Sequence, residues 1–176
     1  SAPATRRVLM RAADYLVDRG EERSGGLSWS TSLPASQPVT GMSHGASGIA
    51  LALLAAGRVL NHPPFVDAAM RALSYERSCF DPARMNWPDY RLLPGRDQGE
   101  SLGWMWAWCH GAPGIGLVRL DALGSRDDPE LASDLAAALA STTRFGFGNN
   151  DSLCHGDLGN LELFVRAYEL GYRGEW

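Results

Sequence analysis

Apolar residues recur along this chain at the three- and four-residue spacing of helices, in two kinds of segment. In the first kind one face is apolar and the other charged. Residues 5–19 place Val8, Leu9, Ala12, Tyr15 and Leu16 on one face and end at Gly20. Phe65, Val66, Ala69, Met70 and Leu73 keep the same spacing while Asp67, Arg71 and Arg77 fall elsewhere on the wheel. A third such segment carries Leu131, Leu135 and Leu139 after Asp128-Pro129, where Asp128 is suited to the N-cap and Pro129 to the first helical position. The second kind is more apolar: Ile49, Leu51, Leu53 and Leu54 among alanines; Ile115, Leu117, Val118 and Leu120; and Leu161, Leu163, Phe164, Val165 and Tyr168, ending near Gly171. The first of these is apolar nearly all round, which predicts a helix enclosed by others. No run alternates convincingly with period two. The pattern predicts an all-α fold of helical hairpins in which amphipathic outer helices alternate with apolar inner ones.

Each inner segment is introduced by the same motif. His-Gly-x-x-Gly occurs at His44–Gly48, His110–Gly114 and His155–Gly159. In an array of repeated hairpins equivalent ends lie on one side, so the three glycine-rich loops are expected to converge. The wider spacing between the first two copies makes room for a proline- and tryptophan-rich excursion at 81–107, and loops of that length are often functional.

Composition narrows the class. At 176 residues, 45% hydrophobic and 20% charged, the chain is long and apolar enough for one ordinary core. Its longest apolar run, residues 48–57, is about half the ~20 residues that span a bilayer, and no secretory leader pattern opens the sequence, so a soluble cytoplasmic protein without membrane insertion is expected. A net charge of −4 argues against a nucleic-acid partner, although every basic residue is arginine. Three cysteines cannot build a disulfide framework, which leaves metal binding or catalysis as the better use of them.

Two of the three stand directly before a motif histidine. A lone cysteine would read as a packed residue, but Cys109-His110-Gly and Cys154-His155-Gly repeat the arrangement at the mouths of two inner helices. Together they offer four possible zinc ligands of the type this metal prefers. No Cys-x-x-Cys knuckle is present. Ligands drawn from two distant repeats suit a catalytic zinc with two thiolates, one histidine and an open position, where an incoming thiol would lose its proton. Spacing leaves open whether His110 or His155 is the third ligand. His44, whose loop has Ser43 in place of a cysteine, is suited to acid–base work.

The ordered trio "GMSHGASG", "WCHGAPG" and "CHGDLGN" resembles the motif set of the lanthionine synthetase C-like family, the cyclases of lanthipeptide biosynthesis, from Gly41 to Asn160. The resemblance implies an α/α toroid of inner and outer helices and one zinc on Cys109, Cys154 and His155. It implies an enzyme that adds a peptide cysteine to dehydroalanine or dehydrobutyrine, with a dehydrated precursor peptide as substrate. It assigns His44 to acid–base chemistry and places His110 near the reacting centre. A dehydratase or kinase-like partner is a further expectation. A complete family toroid has more hairpins than this chain supplies, so residues 1–176 are expected to form a single, incomplete cyclase domain. Some members carry an arginine four residues before the second-loop cysteine; Met105 stands there.

Two other readings compete: a zinc protein acting on or binding glutathione or another small thiol, and a non-catalytic helical-repeat interaction module with a structural zinc. Cys79 is expected to be packed and His62 to sit in a turn. Trp104, Trp106 and Trp108 are expected to wall the site or to face substrate, and Asp157 and Asn160 to cap the third inner helix, with Asn160 also a candidate partner to a metal ligand.

Overall fold

The computed structural model describes residues 2–23, 25–92 and 103–173. Six helices are found among them: α1 (Ala2–Asp18), α2 (Ala46–Leu60), α3 (Pro63–Ser78), α4 (Ala112–Leu123), α5 (Pro129–Phe145) and α6 (Asp157–Glu169). Helices α2, α4 and α6 follow the three motif loops. Neighbouring inner helices pack in chain order, α2 on α4 and α4 on α6, while α3 backs α2 and α5 backs α4. The alternation of inner and outer helices expected from the periodicity is present.

Local chemistry sets the boundaries. Asp128 caps α5 as expected, its Oδ1 accepting from the amides of Glu130 and Leu131 at 3.0 and 3.1 Å. Pro129 follows, in a turn where an amide hydrogen would have no partner. Helix α3 begins Pro63-Pro64 behind His62, whose ring rests 4.2 Å from that of Phe65.

Leu53 and Leu54 of α2, Phe65, Ala69, Ala72 and Leu73 of α3, Val118 of α4 and Leu131 of α5 form the main core. Removing a leucine side chain from such a core costs about 2–5 kcal/mol. The most enclosed helix is α4, in which only Leu117, Asp121 and Leu123 escape full burial. Helix α2, expected to be wrapped all round, exposes Ala52, Ala55 and Val59. An alanine-rich surface reads as apolar but need not be covered, because small side chains forfeit little when left in water.

A two-stranded antiparallel hairpin joins α1 to the first loop: β1 (Glu21–Arg23) and β2 (Gly26–Ser28), with Glu22 opposite Leu27. No strand was expected here, since three-residue strands are too short to show alternation. Gly26 lies so close to α3 that a Cβ would meet the Arg71 carbonyl oxygen at 2.0 Å. Between α3 and α4 the excursion is pinned by single bridges, Ala35 to Arg91 and Asp89 to Gly103; residues 93–102 of the expected 81–107 loop lie outside the described residues.

Candidate functional site

The second glycine of His-Gly-x-x-Gly permits a close approach that is the same in all three copies. A Cβ on Gly48, Gly114 or Gly159 would stand 2.0, 2.0 and 1.8 Å from the carbonyl oxygens of Met42, Trp108 and Leu153. Each loop therefore folds back onto the first turn of its own helix, and any side chain there would push it away. The histidine precedes the helix by two residues in every copy, with Gly45, Gly111 and Gly156 at the N-caps.

The three loops meet through their main chains. The Cys109 amide donates to the Cys154 carbonyl at 3.1 Å, joining the second loop to the third. The Ser43 amide donates to the Cys109 carbonyl at 3.0 Å, joining the first to the second. Both peptide groups of Cys109 are thus occupied in bringing the loops together. Its buried thiol lies beside the exposed Cys154 thiol, and burial, followed by this neighbour, pushes the Cys109 thiol up to about 11.

On the other side of Cys109, His110 is buried and His44 is exposed, with ring centroids 5.9 Å apart in a stacked arrangement. Neither His110 ring nitrogen is hydrogen-bonded; the Thr40 main chain comes near without reaching bonding geometry. Burial lowers the His110 pKa to about 4, helped by the positive charge of Arg91 and by His44 and opposed by Asp89. The imidazole is therefore neutral at neutral pH.

His155 begins the third inner repeat but faces a different space. It lines a cavity of about 480 Å³ with Trp104, Trp106, Phe145, Asn149 and Asn150. The three tryptophans of 104–108 divide their work. Trp106 donates to Ser141 Oγ at 2.8 Å and packs against Phe145, Trp104 borders the His155 cavity, and Trp108 borders a groove along α2, α4 and α6 with Met42.

Asp157 and Asn160 do not cap α6. The Asp157 carboxylate reaches back to the amides of Gly148 and Asn149 at 2.9 and 3.4 Å, and buried Asn160 donates to the carbonyls of Trp106 and Gly146 at 2.7 and 2.6 Å. Asp157 thus ties down the chain just ahead of the helix, and Asn160 joins that chain to the segment before α4. Cys79, at the end of α3, is half-buried and donates to the Tyr75 carbonyl at 3.5 Å.

Three residues around the site belong to none of the sequence motifs. Buried Asn86 donates to the Met105 carbonyl at 2.9 Å and accepts from the Ala112 amide at 2.9 Å, capping α4 from the excursion. Arg91 is paired to Asp89 through two guanidinium nitrogens at 2.8 and 2.7 Å, and Nη2 also donates to Met105 Sδ at 3.5 Å. Burial opposes ionisation of Asp89, but the hydrogen bonds from Arg91 hold its carboxyl below the usual range. The Arg91 charge acts on both thiols and on His110.

The donor set is of a kind that fits zinc, since two sulfurs side by side beside imidazoles are soft ligands, and a divalent cation would turn the mutual repulsion of two thiolates into attraction. Among the described residues, no three His, Cys, Asp or Glu side chains stand close enough together to hold a metal. The sulfur pair is in place; the third donor is not.

The model of the lanthionine synthetase C-like proteins matches residues 2–171, nearly the whole chain. The chain belongs to this family. Its structure is also similar to that of a nisin cyclase, with a TM-score of 0.61 at 20% identity over 77% of this chain. That likeness identifies the layered helices of this lanthionine synthetase C-like chain as those of an α/α toroid. The match covers 35% of the nisin cyclase chain. No helix among the described residues is long and apolar enough to cross a membrane.

Proposed function

We propose that this chain carries the zinc and thiol centre of a cyclase that closes thioether rings in a dehydrated precursor peptide. The observation that carries the reading is the joining of Cys109 to Cys154 and of Ser43 to Cys109, which places two thiols and a stacked histidine pair at one loop junction. Cys109, Cys154 and His155 would hold the zinc, with the His155 ring turning from its cavity toward the sulfurs. A zinc ion held there would contribute Lewis acidity, lowering the pKa of a peptide thiol that reached it.

The protein's own residues supply the rest of the chemistry. In the addition the cysteine sulfur bonds to the β-carbon of dehydroalanine or dehydrobutyrine, the carbon–carbon π bond breaks, and a proton reaches the α-carbon. His44, exposed at the rim, delivers that proton. His110, neutral and buried behind it, holds the His44 ring in stacking contact. Arg91, fixed by Asp89, offers positive charge to the enolate oxygen that develops in the transition state. Trp104 and Trp106 give the peptide an apolar wall.

The reaction leaves the peptide mass unchanged and consumes one thiol per ring. Incubation with a dehydrated cysteine-containing peptide, followed by thiol alkylation and mass spectrometry, is therefore expected to show a zinc-dependent fall in alkylated product above the uncatalysed background. Glutathione in excess should leave the intramolecular product dominant. Glutathione adducts in place of rings would instead indicate an enzyme for small thiols, and no zinc-dependent change in either product would exclude catalysis by this chain.

A further inference from the structure

Glu76 is a fully buried carboxylate on the outer helix α3, and all of its hydrogen bonds run toward the first motif loop or toward α4. Oε1 accepts from the Gly41 amide at 2.6 Å and from the Ser47 amide at 3.3 Å. Oε2 accepts from the Ser47 hydroxyl in a short contact and from Arg119 Nη1 at 2.7 Å. Gly41 and Ser47 bracket His44. One side chain thus grips both ends of the turn that presents this histidine.

The far end of the grip is equally defined. Arg119, on α4 and fully buried, donates through Nε to Asp134 of α5 at 3.1 Å and through Nη2 to the Leu73 carbonyl at 3.3 Å. Asp134 is held in turn by Arg77 at 3.0 Å. The carboxylate of Glu76 is therefore fixed against α4, the helix that His110 introduces. Gly41, at φ +95°, lies against His110: a Cβ there would stand 3.1 Å from the His110 Cα and 3.3 Å from its Nδ1. Moving the Gly41 amide would change the separation of the two imidazoles, because the backbone it belongs to is in contact with one and carries the other three residues on.

We propose that Glu76 is a positioning residue that sets His44 against His110, acting through the Gly41 amide and the amide and hydroxyl of Ser47, with Arg119 fixing its orientation. The consequence for catalysis rests on the cyclase reading above; the placement itself does not. A glutamine at 76 has one acceptor oxygen, whereas Gly41, Ser47 and Arg119 all present donors, so its NH2 group must face a donor and the grip fails on one side.

The test is the imidazole NMR spectrum of the chain, which contains four histidines. In the unmodified chain a cross-peak between the His44 and His110 rings is expected. In Glu76→Gln that cross-peak should be lost and both ring resonances should shift, while His62, packed on Phe65, stays where it was and circular dichroism remains helical. Persistence of the cross-peak and both shifts in a folded Glu76→Gln protein overturns the proposal. Should Glu76→Gln not fold, Ser47→Ala decides: it keeps the Ser47 amide and removes the hydroxyl, which donates to Glu76 and accepts from Arg119 at 3.2 Å, and the proposal requires a weaker cross-peak with a displaced His44 resonance, while an unchanged pair overturns it. Because no turnover is read, a chain that cyclises nothing but loses the ring contact in Glu76→Gln refutes the cyclase reading and upholds this one.

Discussion

His44→Asn is expected to slow thioether formation by roughly 10²- to 10⁴-fold, the loss that accompanies removal of a general acid or base, while leaving zinc content unchanged. The expectation follows from position. His44 has the same place in its repeat as His110 and His155 but follows Ser43 instead of a cysteine, and it stands exposed beside buried His110 at 5.9 Å. Asparagine retains a polar side chain of similar reach without a proton that titrates near neutrality. Rates must be corrected for the spontaneous addition of thiols to dehydro residues. Loss of zinc in this variant would make His44 a ligand; an unchanged corrected rate and zinc content would leave it a surface residue of a helix-opening turn.

The largest effect on stability is expected at Arg119→Met. This arginine is fully buried between Glu76 and Asp134 at 2.7 and 3.1 Å, and its removal leaves carboxylate charge in the core that Arg77 answers only in part. Breaking one side of a buried ion pair costs about 3–5 kcal/mol, because the partner stays behind without compensation. For a chain of this size that corresponds to a fall in Tm on the order of 10 °C. Urea unfolding measures it, and Glu76→Gln combined with Arg119→Met should be destabilised by less than the two single changes added together. Strict additivity would mean that the two side chains are not coupled.

Much of the fold was legible because helical periodicity and end chemistry agreed. Asp128-Pro129 predicted the start of α5, and the motif copies predicted where α2, α4 and α6 begin. Convergence of the loops followed from their equivalent places in a repeat. The hairpin at Glu21–Ser28 was not legible, since it rests on the fit of Gly26 to α3 instead of on any alternation of its own. Enclosure of α2 was overestimated because hydropathy counts alanine as apolar without asking whether a neighbour is present to cover it.

The polar framework behind the site was hidden for a related reason. Arg119 interrupts the apolar stretch of α4 on the face that carries Ile115 and Ala122, which marks an inward arginine, but the sequence does not say that its partners are Glu76 and Asp134. Asn86 and Arg91 come from the excursion, where no periodicity exists to place them. They reach α4 and the thiols through isolated bridges and side-chain hydrogen bonds that only the folded chain reveals. Within the site, two cysteines before His-Gly pointed to each other correctly in space. That His155 lines the Trp104–Trp106 cavity and completes no three-donor group with the sulfurs is not encoded in the spacing.

The most direct measurement is the zinc content of the purified chain, unmodified and with Cys109→Ala or Cys154→Ala. The sulfur pair should bind close to one equivalent in the unmodified chain, and either substitution should abolish stoichiometric binding, since one sulfur and one imidazole do not make a tight site. Full zinc occupancy in either single variant would contradict the assignment of Cys109 and Cys154 as the pair that holds the metal.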